Sequence, residues 1–181
     1  GMMSDNSSCS LSEVYLYDTI NDQWDTKLTS GTLPSDRHGF SAILGLDGQQ
    51  LIIFGGRNQT NEQFNRIDSL YTLNLSNFMW NIPKVSGDIP SSRSYHRANV
   101  IDKYMVISFG SGKITSDLFL LDISNNKEYK WIEPNKDHKT NSVMIGMNNP
   151  AENIFGNVKM NVKPGQKITA LIFECLKPTK L

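Results

Sequence analysis

"SGTLPSDR" (Ser30 to Arg37) and "SGDIPSSR" (Ser86 to Arg93) are one eight-residue phrase written twice, 56 residues apart. The spacing holds upstream as well. Tyr15 falls on Tyr71, Trp24 on Trp80, Gly31 on Gly87, Pro34 on Pro90 and Arg37 on Arg93. A looser third copy, "DLFLLDISNNKEYKW", sets Phe119 before Trp131. Between these marks, "HGFSAILGLDGQQLIIFGG" is answered by "SYHRANVIDKYMVISFGS", which sets Phe54, Gly55 and Gly56 against Phe109, Gly110 and Ser111. A period near 50 means a unit that cannot bury its apolar face alone and must stack on its neighbours, as in solenoids and propellers.

Within a unit, "FSAILGL" and "QLIIFGG" are short apolar runs joined through Asp47 and Gly48, which predicts a hairpin. "SLYTLNL" and "FMWNIPKV" follow through the turn-prone Ser76 and Asn77. Four short strands per unit is the blade of a β-propeller. Gly55 and Gly56 end the second strand, where a missing Cβ permits positive φ or close backbone approach. The Tyr and Trp of strands three and four are large enough to fill the wedge between blades. Pro34 and Pro90 are expected to stop strand four.

Phe-Gly-Gly, Leu-Tyr, Trp nine residues after the Tyr, and Gly-x-x-Pro-x-x-Arg together resemble the kelch repeat, over residues 12–134. The resemblance implies an all-β fold of kelch-type blades, each a four-stranded antiparallel meander, and a propeller that most often binds other proteins through its loops. On this reading Tyr15, Trp24, Arg37, Gly55, Gly56, Tyr71, Trp80, Arg93, Gly110, Phe119 and Trp131 are repeat-defining structural residues. The blades would be a half blade at 12–37, a whole one at 38–93 and another at 94–134. Residues 1–11 would form a flexible lead. Residues 135–181 carry seven Lys against three acidic residues and none of the repeat marks. Their "NVKMNVKPGQKITALIFECL" predicts a hairpin over 157–176, and "GQKITALIF" echoes "GQQLIIF" as a degenerate half blade. Two and a half blades are too few for a closed ring, so the chain is read as a partial propeller or as one part of an oligomer-completed ring, a homo-oligomer.

Composition narrows the function classes. Eighteen basic residues balance eighteen acidic ones over 181 residues, so no global field favours nucleic acid or an anionic membrane. No run reaches the ~18 apolar residues of a membrane span. Cys9 and Cys175 are the two cysteines, which excludes a disulfide-dense scaffold and fits a cytoplasmic location. Three Asn-x-Ser/Thr triplets, at Asn6, Asn58 and Asn74, keep secretion as the alternative. No metal-ligand pairing of His or Cys and no phosphate loop occurs, so no metal, no cofactor and no catalytic residue is expected.

What is left is a binding surface for a protein partner. In a four-strand meander, loop two-three and the crossing to the next blade emerge on the same face. Loop two-three of the complete copy, "RNQTNEQFNRID" (Arg57 to Asp68), is twice the length of its counterpart "GKITSD" (Gly112 to Asp117). Unequal loops on one face point to function. Arg57, Phe64, Arg66 and Lys113 are the candidate contact residues, cations with an apolar anchor. The competing readings are a carbohydrate-binding or enzymatic propeller of a secreted protein, and a piece of a longer kelch protein without activity of its own.

Overall fold

The computed structural model describes residues 10–58, 60, 62, 69–111 and 118–132, with the backbone of a strand at Thr169–Ile172. Those residues form three sheets. β1 (Glu13–Asp18) and β2 (Gln23–Leu28) make the first hairpin, and β3 (Ser30–Gly31) leaves it at once. β4 (Ser41–Leu44), β5 (Gln50–Phe54), β6 (Leu70–Asn74) and β7 (Met79–Asn81) form an antiparallel meander. After β8 (Val85–Ser86), a second meander runs through β9 (Arg97–Ile101), β10 (Tyr104–Ser108), β11 (Phe119–Asp122) and β12 (Tyr129–Ile132). β13 (Thr169–Ile172) returns to pair with β1, giving the order β13-β1-β2. The chain is therefore all-β, in kelch-type blades.

Strand alternation builds two apolar layers between three sheets. Leu51, Ile53, Tyr71, Leu73 and Trp80 point back toward Leu11, Val14 and Leu16 of the first sheet. Ile43, Ile52, Phe54 and Leu70 point forward onto Met105, Ile107, Leu121 and Trp131 of the next. The middle sheet thus buries apolar side chains on both faces, while Met79 of β7 stays exposed. Leu11, which the sequence places in a flexible lead, is a core residue. It is buried, and its carbonyl accepts from Trp80 Nε1 at 3.0 Å and from Thr29 Oγ1 at 2.7 Å.

The repeated phrase turns out to be a strap between blades, and it corrects the expected strand count. Strand four of the middle blade ends at Asn81, before Pro83, so "FMWNIPKV" is not one strand. Its last part, β8, crosses over and pairs in parallel with β12 of the following blade, as β3 does with β7. Each full blade therefore carries five strands, the outermost donated by its predecessor. This close contact explains Gly31 and Gly87, at φ +82 and +80. A Cβ on Gly31 would lie 2.4 Å from the Trp80 carbonyl oxygen, and one on Gly87 2.2 Å from that of Trp131. No side chain fits there.

β13 enters on the opposite edge of β1. Tyr15 pairs with Ile172 just as Tyr71 pairs with Ile53, so β13 holds the place of a second strand beside β1, in the register by which "GQKITALIF" echoes "GQQLIIF". The remainder of the expected 157–176 hairpin lies outside the described residues.

Candidate partner-binding face

The strap ends in an arginine that is swallowed by the next blade. Arg37 is fully buried; its Nε donates to Ser35 O at 3.0 Å, its Nη1 to Gly55 O at 3.2 Å, and its Cζ stands 5.0 Å from the Tyr71 ring centroid. Arg93 repeats the arrangement, with Nη1 donating to Phe109 O at 3.1 Å and Cζ 4.0 Å from the Phe119 ring centroid. A guanidinium can satisfy a strand-end carbonyl and still stack on an aromatic face, which Lys cannot do in the plane of a fork. Both arginines face inward and serve the join between blades.

Beyond these arginines the face opens. His38 N donates to Arg57 O at 3.0 Å and Arg57 N to His38 O at 2.9 Å, while Ser94 and Ser111 form the matching bridge one blade on. The end of each strap is thereby tied to the start of loop two-three, so both emerge at the same edge. Phe64, Arg66 and Lys113 lie in those loops, outside the described residues. Arg57 is described, and its guanidinium is engaged sideways. Nη2 donates to Ser111 Oγ of the next blade at 2.8 Å, and Cζ lies 5.7 Å from the Tyr95 ring centroid.

Two aromatics at this edge are not among the contact residues expected from the sequence. Tyr95 is 47% exposed at φ +56, and Phe109 is 60% exposed at φ +61. Left-handed backbone is a real outlier for bulky side chains. Each stands where the preceding blade has a glycine. Gly39, at φ +67, is 56 residues before Tyr95, and Gly55, at φ +73, is the counterpart of Phe109. The second equivalence corrects the sequence alignment. The β10–β11 register sets Ile107 opposite Phe119, as Ile53 stands opposite Tyr71, and Arg93 bonds Phe109 O as Arg37 bonds Gly55 O. Phe109 therefore answers Gly55, Gly110 answers Gly56, and Ser111 answers Arg57. Ser108 takes the place of Phe54. The His38 ring, 6.0 Å from that of Tyr95, lies beneath the patch with both ring nitrogens buried.

Behind the patch lies a buried Ser–His contact. Ser41 Oγ is 2.6 Å from His96 Nε2, and the imidazole meets the Phe54 ring edge-on at 5.4 Å. Burial, reinforced by the Arg93 charge, pushes the His96 pKa down to about 4. Among the described residues no carboxylate is bonded to its Nδ1, the partner that would orient a catalytic histidine. A neutral imidazole wedged between blades is what the geometry offers. Among the described residues no group of three or more His, Cys, Asp or Glu is assembled for a metal.

Comparison with known proteins agrees with this architecture. Residues 1–148 match the KLHDC2/KLHL20/DRC7 Kelch-repeats domain model. Kelch domain-containing protein 3 of Homo sapiens is 32% identical over 120 residues, covering 61% of this chain and 30% of that protein. A Rho GTPase-activating protein, gacHH, of Dictyostelium discoideum is 31% identical over 118 residues, 64% of this chain and 7% of that protein. The Rab9 effector protein with kelch motifs of Mus musculus is 28% identical over 108 residues, 60% of this chain and 27% of that protein. The chain thus spans less than a third of the length of these relatives. With its strap-joined blades and a kelch-repeat match over most of its length, the chain belongs to the kelch-repeat family.

Proposed function

We propose that this chain is a non-catalytic protein-interaction module, and that it holds a partner segment at the edge carrying Tyr95, Phe109 and Arg57. The observation that carries the reading is the pair of exposed aromatics in left-handed backbone. Such strain costs on the order of 1–3 kcal/mol per residue and is kept where it serves a site. Aromatic rings backed by an arginine that is already positioned are the groups that dominate binding energy at protein interfaces. Arg57 acts here as a brace for Tyr95 across two blades, and the loops bearing Phe64, Arg66 and Lys113 leave from the same edge. The names of relatives, a Rab9 effector among them, fit an interaction role for the family. A partner bound through an extended segment would lay apolar side chains on the two rings.

The test is selection of binding peptides from a random displayed library on the full chain, followed by titration against the Tyr95→Ala, Phe109→Ala double variant. Loss of binding by tenfold or more, with an unchanged melt, is expected. Peptides that bind both proteins equally would remove this edge from consideration. A glycan array run in parallel addresses the sugar reading, which the tilted Tyr17–Trp24 ring pair at 4.9 Å motivates among the described residues.

A further inference from the structure

We infer that the blade join beneath the Tyr95 edge is an acid-sensitive latch: a proton taken up by His96 opens it, and the edge loosens with it. Polar contacts hold this join at the edge. Gly56 N donates to Arg93 O at 2.9 Å, Tyr95 N to Gly39 O at 2.7 Å and Arg57 Nη2 to Ser111 Oγ at 2.8 Å, while Ser41 Oγ meets His96 Nε2 at 2.6 Å. Each of them links the 38–93 blade to the next. His96 follows Tyr95 directly, so a ring that leaves its seat pulls on the bond that its neighbour makes to Gly39.

The seat has no place for a charge. A Cβ on Gly55 would lie 2.8 Å from His96 Cε1 and one on Gly110 2.8 Å from His96 Cβ, so backbone closes on the side chain from both sides. A protonated imidazole carries two N–H donors. Ser41 Oγ can accept from one. Nδ1 is buried with no hydrogen-bond partner among the described residues, and the Arg93 carbonyl beside it already accepts from Gly56 N. The groups that face the ring are Ser41 from β4, Phe54 and Gly55 from β5, Arg93 from the strap and Gly110 from the end of β10. Of these only Arg93 is charged, and its sign is that of the incoming proton. Tyr95 and Arg97 on either side of His96, and His38 and Arg57 at the edge beyond, bring no carboxylate. A buried charge beside a like charge, with a donor left unpaired, is stabilised by moving out into water.

The join on the other side of the middle blade is built differently at this point. Phe40 holds the place of His96 one repeat earlier and packs on the layer of Leu51, Ile53 and Trp80. It has nothing to protonate. Under the latch itself, the apolar layer of Phe54, Met105, Ile107 and Trp131 contains no group that titrates between pH 5 and 7, so acid acts on the polar clasp alone. A partner held at Tyr95 would then leave sooner in acid. That consequence, unlike the latch, rests on the binding reading above.

Amide hydrogen exchange on the full chain, read residue by residue by NMR and corrected for the intrinsic pH dependence of exchange, tests the latch with no partner present. A freed imidazole titrates near 6.5 and the seated one at about 4, so opening should become about twentyfold more frequent from pH 7 to pH 5. The Gly56 and Tyr95 amides should lose protection by that factor. Thr32 N, bonded to Trp80 O at 2.9 Å in the other strap, should keep its protection. His96→Phe, which copies Phe40, should abolish the pH effect, and His96→Gln, smaller and unable to take up a proton, should do the same if the larger ring overfills the seat. Protection at Gly56 and Tyr95 that stays constant between the two pH values would overturn the inference, as would an equal fall in both His96 variants. A fall of the same size at Thr32 would mean that acid unfolds the whole chain and not the join, which overturns it too. Failure here leaves the peptide-binding reading untouched, and a failed peptide selection leaves the exchange result standing.

Discussion

Trp24 and Trp80 hold the same place in consecutive repeats and have opposite fates. Trp80 is sealed between two sheets, its indole N–H bonded to the Leu11 carbonyl. Trp24 has the same position on the same kind of hairpin and stands half in solvent against Tyr17. Both residues sit on a strand paired antiparallel to the one before it, Trp24 with Tyr17 and Trp80 with Leu73, so local pairing does not make the difference. What differs is whether a preceding sheet supplies a forward face. A blade side chain acquires its energy from its neighbour, as expected for quasi-one-dimensional repeats whose stability lies largely in the interfaces.

Removing the two indoles is the sharpest way to break that comparison. Trp80→Ala should destabilise the chain by about 3–5 kcal/mol through the cavity it leaves, with the Leu11 carbonyl losing a donor as well. Trp24→Ala should cost about 1 kcal/mol or less within a single chain. Urea unfolding at a concentration low enough to keep chains apart would read both. Equal losses would mean that Trp24 is already covered in solution.

Next in size is the strap. Arg37→Ala removes a buried cation that caps Gly55 O and stacks on Tyr71, and should cost about 2–4 kcal/mol. Arg37→Met keeps most of the volume and should recover part of the packing without recovering the carbonyl bond. If the Met variant proves as stable as the parent by thermal melt, the hydrogen bond to Gly55 O contributes nothing and the arginine acts by bulk alone.

These joins were legible in the sequence because they demand particular residue types. Only glycine tolerates a Trp carbonyl within 2.4 Å of its Cβ position, and only arginine both forks and stacks, so Gly31, Gly87, Arg37 and Arg93 recur at a fixed spacing. The edge with Tyr95 and Phe109 was not legible, and the reason is register. The β9–β10 connection is two residues shorter than the β4–β5 one: Val100 pairs with Met105 across four residues where Leu44 pairs with Leu51 across six. An alignment anchored on Phe-Gly runs one residue out after it. In a strand, a slip of one residue exchanges the faces. Phe109 read as the partner of buried Phe54 is in fact the partner of Gly55, and its ring goes outward. The usable signal was a bulky aromatic standing where the neighbouring repeat keeps glycine, as Tyr95 does for Gly39.

His96 sharpens the comparison through pH. It replaces Phe40 of the previous repeat and sits neutral in the blade join, with its pKa held at about 4 by burial and by Arg93. An unfolded histidine titrates near 6.5, so between those values the unfolded chain binds the extra proton. Stability is therefore intact above about 6.5 and falls as pH drops toward 4, by at most about 3 kcal/mol. His96→Phe, which copies the other repeat, should melt with that part of the acid sensitivity removed. A constant difference between the two proteins from pH 7 to 4 would show that the imidazole is solvated in the folded state.

The smallest expected effect is a gain. Phe109→Gly restores the residue type found at Gly55 and relieves a left-handed backbone. It also makes the unfolded chain more flexible, so the net change should be a stabilisation of about 1 kcal/mol or less. The same substitution removes the ring on which the proposed binding edge depends. Stability and binding should then move in opposite directions, which a merely structural Phe109 would not produce. A residue that is strained, exposed and dispensable for folding has little reason to persist in a repeat whose other copy does without it. If Phe109→Gly instead lowers the melting temperature, the ring is held by packing, and the binding edge contracts to Tyr95 and its Arg57 brace.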